Sequence, residues 1–122
     1  MKRIIVADDS GTARMFIVRC LQIAGFDGAH FVEAKNGTEA LVALEEAPAD
    51  LLVTDLFMPE VGGEELLRRV RGQSKYDAMP VLVITSAKNP AKEKELMELG
   101  AYAVISKPIS PATMVPILEA LS

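Results

Sequence analysis

The chain has no tryptophan, one cysteine and one histidine, and only 5% of its 122 residues are aromatic. A lone cysteine, Cys20, excludes an internal disulfide, and its place in a helix-period stretch predicts a buried, inert thiol. With so few rings the core must be aliphatic, and with half of the residues apolar it needs neither disulfide nor structural metal. A basic excess is missing too. Thirteen Lys and Arg against seventeen Asp and Glu leave a net charge of −4, which argues against nucleic acid as a direct partner. No apolar run approaches the ~20 residues of a membrane span. Asp8-Asp9 end the run Ile4-Ile5-Val6-Ala7 too early for a signal-peptide core, so a cytoplasmic chain is expected. Length leaves no room for a second domain, and no repeat, low-complexity tract or linker interrupts the chain. One domain over residues 1–122 is expected.

Short apolar runs alternate five times with helix-period segments. Ile4–Ala7, Ala29–Ala34, Leu51–Thr54, Val81–Ile84 and Ala103–Ile105 read as strands, the first without polar alternation, as in a strand buried on both faces. Helices are expected over Thr12–Ala24 (with Gly25 after it), Thr38–Glu46, Gly63–Arg71, from Asn89-Pro90 to about Leu99, and from Ser110-Pro111 onward. Five βα units in series predict an α/β fold, a doubly wound parallel sheet with helices on both faces.

Ligands of such sheets bind beyond the carboxyl ends of the strands. Strand one ends in Asp8-Asp9, strand three in Asp55, strand four in Thr85-Ser86 and strand five in Ser106-Lys107-Pro108. Strand two ends in Ala34-Lys35, as suits an outer strand. Three carboxylates on one edge repel, so either one stays protonated or a cation neutralises them. Oxygen-only donors favour a hard divalent ion such as Mg2+, with Mn2+ as a substitute. Lys107 adds a mobile ammonium suited to a phosphoryl oxygen. Pro108 holds Lys107 extended, and their peptide is a candidate for the cis form. Thr85 offers a small hydroxyl.

Through Asp8-Asp9, Asp55-x-x-Met58-Pro59 with Gly63, Thr85-Ser86-Ala87 and Lys107-Pro108, the chain resembles the response-regulator receiver domain of two-component signalling, chemotaxis-regulator-like and matched along its whole length. The resemblance implies a flavodoxin-like fold of strand order 2-1-3-4-5. It implies that Asp55 accepts a phosphoryl group from a sensor histidine kinase or histidine phosphotransfer domain. Asp9, Asp55 and the backbone carbonyl of Phe57 would hold Mg2+ directly, and Asp8 through water. Lys107 and Thr85 would hold the phosphoryl oxygens. A monomer or weak dimer is expected, acting through protein contacts on a target the sequence does not name. The start at Met1 favours a free-standing regulator or an N-terminal domain.

Departures from the family pattern stand at three places. Val104 occupies a position where the family carries an aromatic ring that changes rotamer on switching, and Tyr102 lies two residues off. Phe57 and Ala87 border the phosphoryl position without a polar group, which predicts slow attack by water. Pro116 falls within the last helix, which predicts a kink, or a late start with Thr113 as N-cap. On helix one, Ala13, Phe16, Ile17, Cys20, Leu21 and Ala24 form a core stripe, leaving Met15, Val18 and Ile23 as a docking patch. His30 is expected to be a surface or packing residue. Arg68-Arg69 and Lys92–Glu95 read as solvated faces.

Two rival functions remain. A haloacid-dehalogenase-type phosphatase would share the Asp, Mg2+, Thr and Lys, but needs an acid two residues after Asp55, where Phe57 cannot donate a proton. A receiver-shaped scaffold that acts without phosphorylation would be favoured by loss of the acids, Asp55 or Lys107, all of which are present. Turnover as an enzyme is not expected.

Overall fold

A computed structural model describes residues 1–86 and 89–121. Its strands are β1 (Arg3–Ala7), β2 (His30–Ala34), β3 (Leu51–Asp55), β4 (Val81–Thr85) and β5 (Ala103–Ser106). They form one parallel sheet in the order β2-β1-β3-β4-β5. The helices are α1 (Gly11–Leu21), α2 (Gly37–Glu46), α3 (Gly63–Arg71), α4 (Pro90–Glu98) and α5 (Pro111–Glu119). Both the α/β class and the strand order agree with expectation.

Strand alternation divides the aliphatic residues between two cores. Ile4, Val6, Leu51, Val53, Leu82, Ile84 and Ile105 pack with Ile17, Leu21, Met114 and Leu118 of α1 and α5. Ile5, Ala7, Leu52, Val83 and Val104 face α2, α3 and α4, with Ala40, Leu66, Leu67 and Leu96. Cys20 is buried in the first cluster, and burial pushes its thiol pKa up, so the inert reading holds.

Helix α1 differs from the expected span at both ends. Ser10 is its N-cap, accepting from the backbone N–H of Ala13. The helix then widens into a π-type turn, Gln22–Phe26, where Gly25 takes φ 111°. Phe16 is not a core residue: it is 48% exposed, while Ile17, Cys20 and Leu21 cover the sheet. Met15 and Ile23 stand out in solvent as expected, and Val18 is half-buried.

The late start of α5 does not occur. The Ser110 side chain accepts from the N–H of Thr113, and Thr113 Oγ1 accepts from the N–H of Ser110, a reciprocal capping box that places the first turn at Pro111. Pro116 lies inside the helix on an exposed face. It forfeits the bond to the carbonyl one turn back, on the side where water can serve that oxygen.

Away from the strand carboxyl ends, Arg71 clasps the lower rim. It donates from Nε to Gly100 O (3.0 Å), from Nη1 to Tyr76 O (3.0 Å) and from Nη2 to Met79 O (2.8 Å). Gly100, at φ 108°, leaves room for it, since a Cβ there would lie 2.9 Å from Arg71 Cδ. Arg68 and Arg69 make exposed i,i+4 pairs with Glu64 and Glu65. Lys92 departs from the solvated reading: its Nζ reaches Glu64 Oε1 at 2.9 Å and ties α4 to α3. No helix among the described residues is long and apolar enough to cross a membrane.

Candidate functional site

Two carboxylates are buried at the carboxyl edge of the sheet because the strands that carry them run through its centre. Asp8 follows β1, with its N–H bonded to Ala34 O at 3.0 Å, and is 1% exposed. Asp55 is the last residue of β3 and is 6% exposed. Its own Oδ1 accepts from the N–H of Leu56 at 3.0 Å. Asp9, one residue beyond Asp8, is exposed. The three offer carboxylate oxygens within 4.8 Å of one another.

Lys107 leans over them from the end of β5. Its Nζ lies 3.3 Å from Asp55 Oδ1 and 3.5 Å from Asp8 Oδ2, and its N–H is held by Thr85 O at 2.9 Å. The Lys107-Pro108 peptide is cis. Burial pushes the Asp55 carboxyl above its ordinary range and the charge of Asp8 adds to that, while Lys107 pulls the other way without cancelling it. For Lys107 burial acts downward, but the two carboxylates outweigh it and hold the ammonium above its usual value. The cluster thus carries excess negative charge even with the lysine in place.

This donor set fits a divalent cation. All three side-chain donors are hard oxygens, and a positive ion would relieve the repulsion that lifts Asp55.

Thr85, fully buried, is one position beyond the β4 partner of Asp55. By alternation it shares a face with Val83 and hence with Val104, opposite it in register. Val104 is 8% exposed and packs in the α2–α4 core, whereas Tyr102 precedes β5 and is 39% exposed. Thr85 therefore shares its sheet face with an aliphatic side chain at position 104. Phe57 stands 60% exposed just past Asp55. Ala87 lies outside the described residues. His30 pairs with Arg3 at the opposite end of the strands.

The loop after β3 is drawn close to the site by glycine. A Cβ on Gly63 would fall 2.3 Å from Asp55 O, and Gly63 N donates to Leu56 O at 2.9 Å.

One residue beside the acids was not singled out by its sequence. Arg14 Nη1 donates to Asp8 O at 2.6 Å, and Nε to Glu33 Oε1 at 2.8 Å. A signal existed: a cation in the first turns of α1 faces the positive end of the helix dipole, so its charge has to be met elsewhere.

A five-stranded sheet of this order with acids and a lysine at its carboxyl edge defines a receiver-type signalling domain. The model of the response regulator receiver domain matches residues 4–119, and the chain belongs to that family. It is 34% identical over 118 residues to a chemotaxis protein CheY homolog of Campylobacter jejuni, covering 96% of this chain and 89% of that one. It is 32% identical to chemotaxis protein CheY1 of Helicobacter pylori, covering 96% and 94%. The chemotaxis protein CheY4 of Vibrio cholerae superimposes with a TM-score of 0.87 at 32% identity, over 100% of this chain and 99% of that one. The chain is a CheY-like receiver domain of two-component signalling, a class of signalling proteins and not of turnover enzymes.

Proposed function

We propose that residues 1–122 act as one receiver domain, in the cytoplasm, whose Asp55 accepts a phosphoryl group from the phosphohistidine of a sensor kinase or phosphotransfer domain. The observation that carries this reading is the placement of Lys107 Nζ, 3.3 Å from Asp55 Oδ1, among three converging carboxylates. A carboxylate oxygen of Asp55 forms the new P–O bond as the partner's N–P bond breaks. The imidazole leaves with the electron pair and takes up a proton. Lys107 and the Thr85 hydroxyl meet the phosphoryl oxygens, so the chain supplies position and charge, the chief needs of phosphoryl transfer. Asp8, Asp9, Asp55 and the carbonyl of Phe57 would hold Mg2+, or Mn2+ in its place. When bound, the ion would neutralise charge on the transferred group.

The histidine-bearing partner would dock beside the site. Phe16 lines an apolar hollow of about 380 Å³ with Ala13, Ile17, Ile84, Pro108, Ile109 and Lys107, and Met15, its neighbour in sequence, is exposed. Output would pass through protein contacts. With Val104 in place of a ring, the added phosphoryl charge would act through Thr85 and Lys107.

Incubation with acetyl phosphate and Mg2+ tests the reading by intact-protein mass spectrometry. Wild type should gain one phosphoryl group, lost again on treatment with hydroxylamine, and Asp55→Asn should gain none. An unlabelled wild type would leave the scaffold reading in place; steady hydrolysis of a phosphomonoester would revive the phosphatase. The exposed ring of Phe57 offers attacking water no hydrogen bond. Phe57→Asn should accordingly shorten the lifetime of the phosphorylated form, and an unchanged dephosphorylation rate refutes that role.

A further inference from the structure

We propose that Arg14 is a positioning residue that aims Asp9 into the carboxylate cluster, with Glu33 on β2 as its anchor; this rests on the cluster being a divalent-cation site. Asp9 is exposed, and no hydrogen bond or ion pair among the described residues holds its carboxylate. Yet it brings an oxygen within 4.8 Å of those of Asp8 and Asp55. Its aim must come through the backbone.

The peptide joining Asp8 to Asp9 is planar, so fixing the Asp8 carbonyl oxygen also fixes the direction in which Asp9 Cα leaves. That oxygen accepts from Arg14 Nη1 at 2.6 Å. Asp8 is otherwise tied at its N–H by Ala34 O (3.0 Å) and at Oδ1 by the N–H of Ser10 (2.9 Å). With the carbonyl held as well, the turn from β1 into α1 has little freedom left before the cation arrives.

Arg14 suits this work. Its side chain is 13% exposed, and Nε is held by Glu33 Oε1 at 2.8 Å. The Glu33 charge offsets the guanidinium, so the clamp adds no net positive charge beside a cation site. Gly11 leaves it room: a Cβ there would lie 3.3 Å from Arg14 Nη2. A rigid fork reaches Glu33 and the carbonyl together, whereas the single ammonium of lysine is a point charge that cannot keep both geometries.

Calorimetric titration of Mg2+ into metal-free protein, with no phosphodonor present, tests this, alongside the metal-free melting temperature. Arg14→Ala should weaken Mg2+ binding roughly tenfold or more, the usual effect of losing a group that orients a metal ligand. Arg14→Lys should recover little of the loss, and Glu33→Gln should fall between wild type and Arg14→Ala. If Arg14→Ala melts lower but binds Mg2+ as wild type does, Arg14 is a stabilising residue only and the inference fails. Wild-type affinity in Arg14→Lys would assign the effect to charge and overturn the positioning role. Should wild type take up no Mg2+, the cation-site reading itself falls, an outcome distinct from equal binding by all four proteins.

Discussion

Asp55→Asn should melt about 3–4 °C above wild type in the absence of divalent cation, a gain of about 1 kcal/mol, while losing all phosphoryl uptake. The gain follows from the position of Asp55, buried beside a second buried acid. Burial and the charge of Asp8 lift its carboxyl above the ordinary value, so the folded state holds that proton more tightly than the unfolded chain does. Such a group costs stability wherever it is ionised in both states, that is, above its folded titration. The gap between variant and wild type should therefore be full above the native titration of Asp55. It should close as pH falls through the native titration of Asp55 toward the unperturbed 3.8. Mg2+ should reverse the order, because wild type gains about 2.7 kcal/mol at a hundredfold excess over its dissociation constant, and the variant has lost one ligand. Melting curves at several pH values, with and without Mg2+, check all three points. A wild type that is the more stable at neutral pH without metal would show that the acids do not repel as their geometry requires.

Lys107→Met keeps length and apolar stem but removes the one ammonium that, among the described residues, touches both buried acids. Phosphoryl acceptance at Asp55 should slow roughly a hundredfold, the usual loss when one donor to developing charge is removed from a preorganised site. Time courses of labelling by acetyl phosphate at saturating Mg2+ measure it. Metal-free stability at neutral pH should fall by about 1 kcal/mol, well below the 3–5 kcal/mol of a fully buried broken pair, because the lysine side chain is 33% exposed and water screens it. The pH window is the same as for Asp55, with the effect of opposite sign. Without its counter-charge the carboxyl moves further up, so the loss is present at neutral pH and fades on acidification. A variant that labels at the wild-type rate would remove Lys107 from the site.

The strand-end groups were legible because one rule covers them. Four-residue apolar runs such as Ile4–Ala7 have no surface to spare and end at the first polar residue, and in a parallel sheet all such ends lie on one edge. Asp8, Asp55, Thr85 and Lys107 could be read from that alone. Position along a strand did not disclose which acid is buried: Asp8 and Asp9 are neighbours in sequence, yet only Asp8 is enclosed. Local patterns misled where tertiary neighbours outweighed them. Phe16 has core spacing on α1 but sits at the mouth of the hollow beside Pro108. Pro116 argued for a kinked or late-starting helix, but the Ser110–Thr113 caps start α5 at Pro111 and the helix runs past the proline.

Hydrophobic period and turn residues thus suffice for the five βα units and the acidic edge, since both are local properties of the chain whose consequences topology carries to one place. The clasps of Arg14 on Asp8 and Arg71 on Gly100, and the Lys92–Glu64 tie between α3 and α4, join residues 6, 29 and 28 positions apart. No periodicity relates such partners. A flexible cationic side chain can reach many acceptors, and which one it takes is settled by the packed backbone around it.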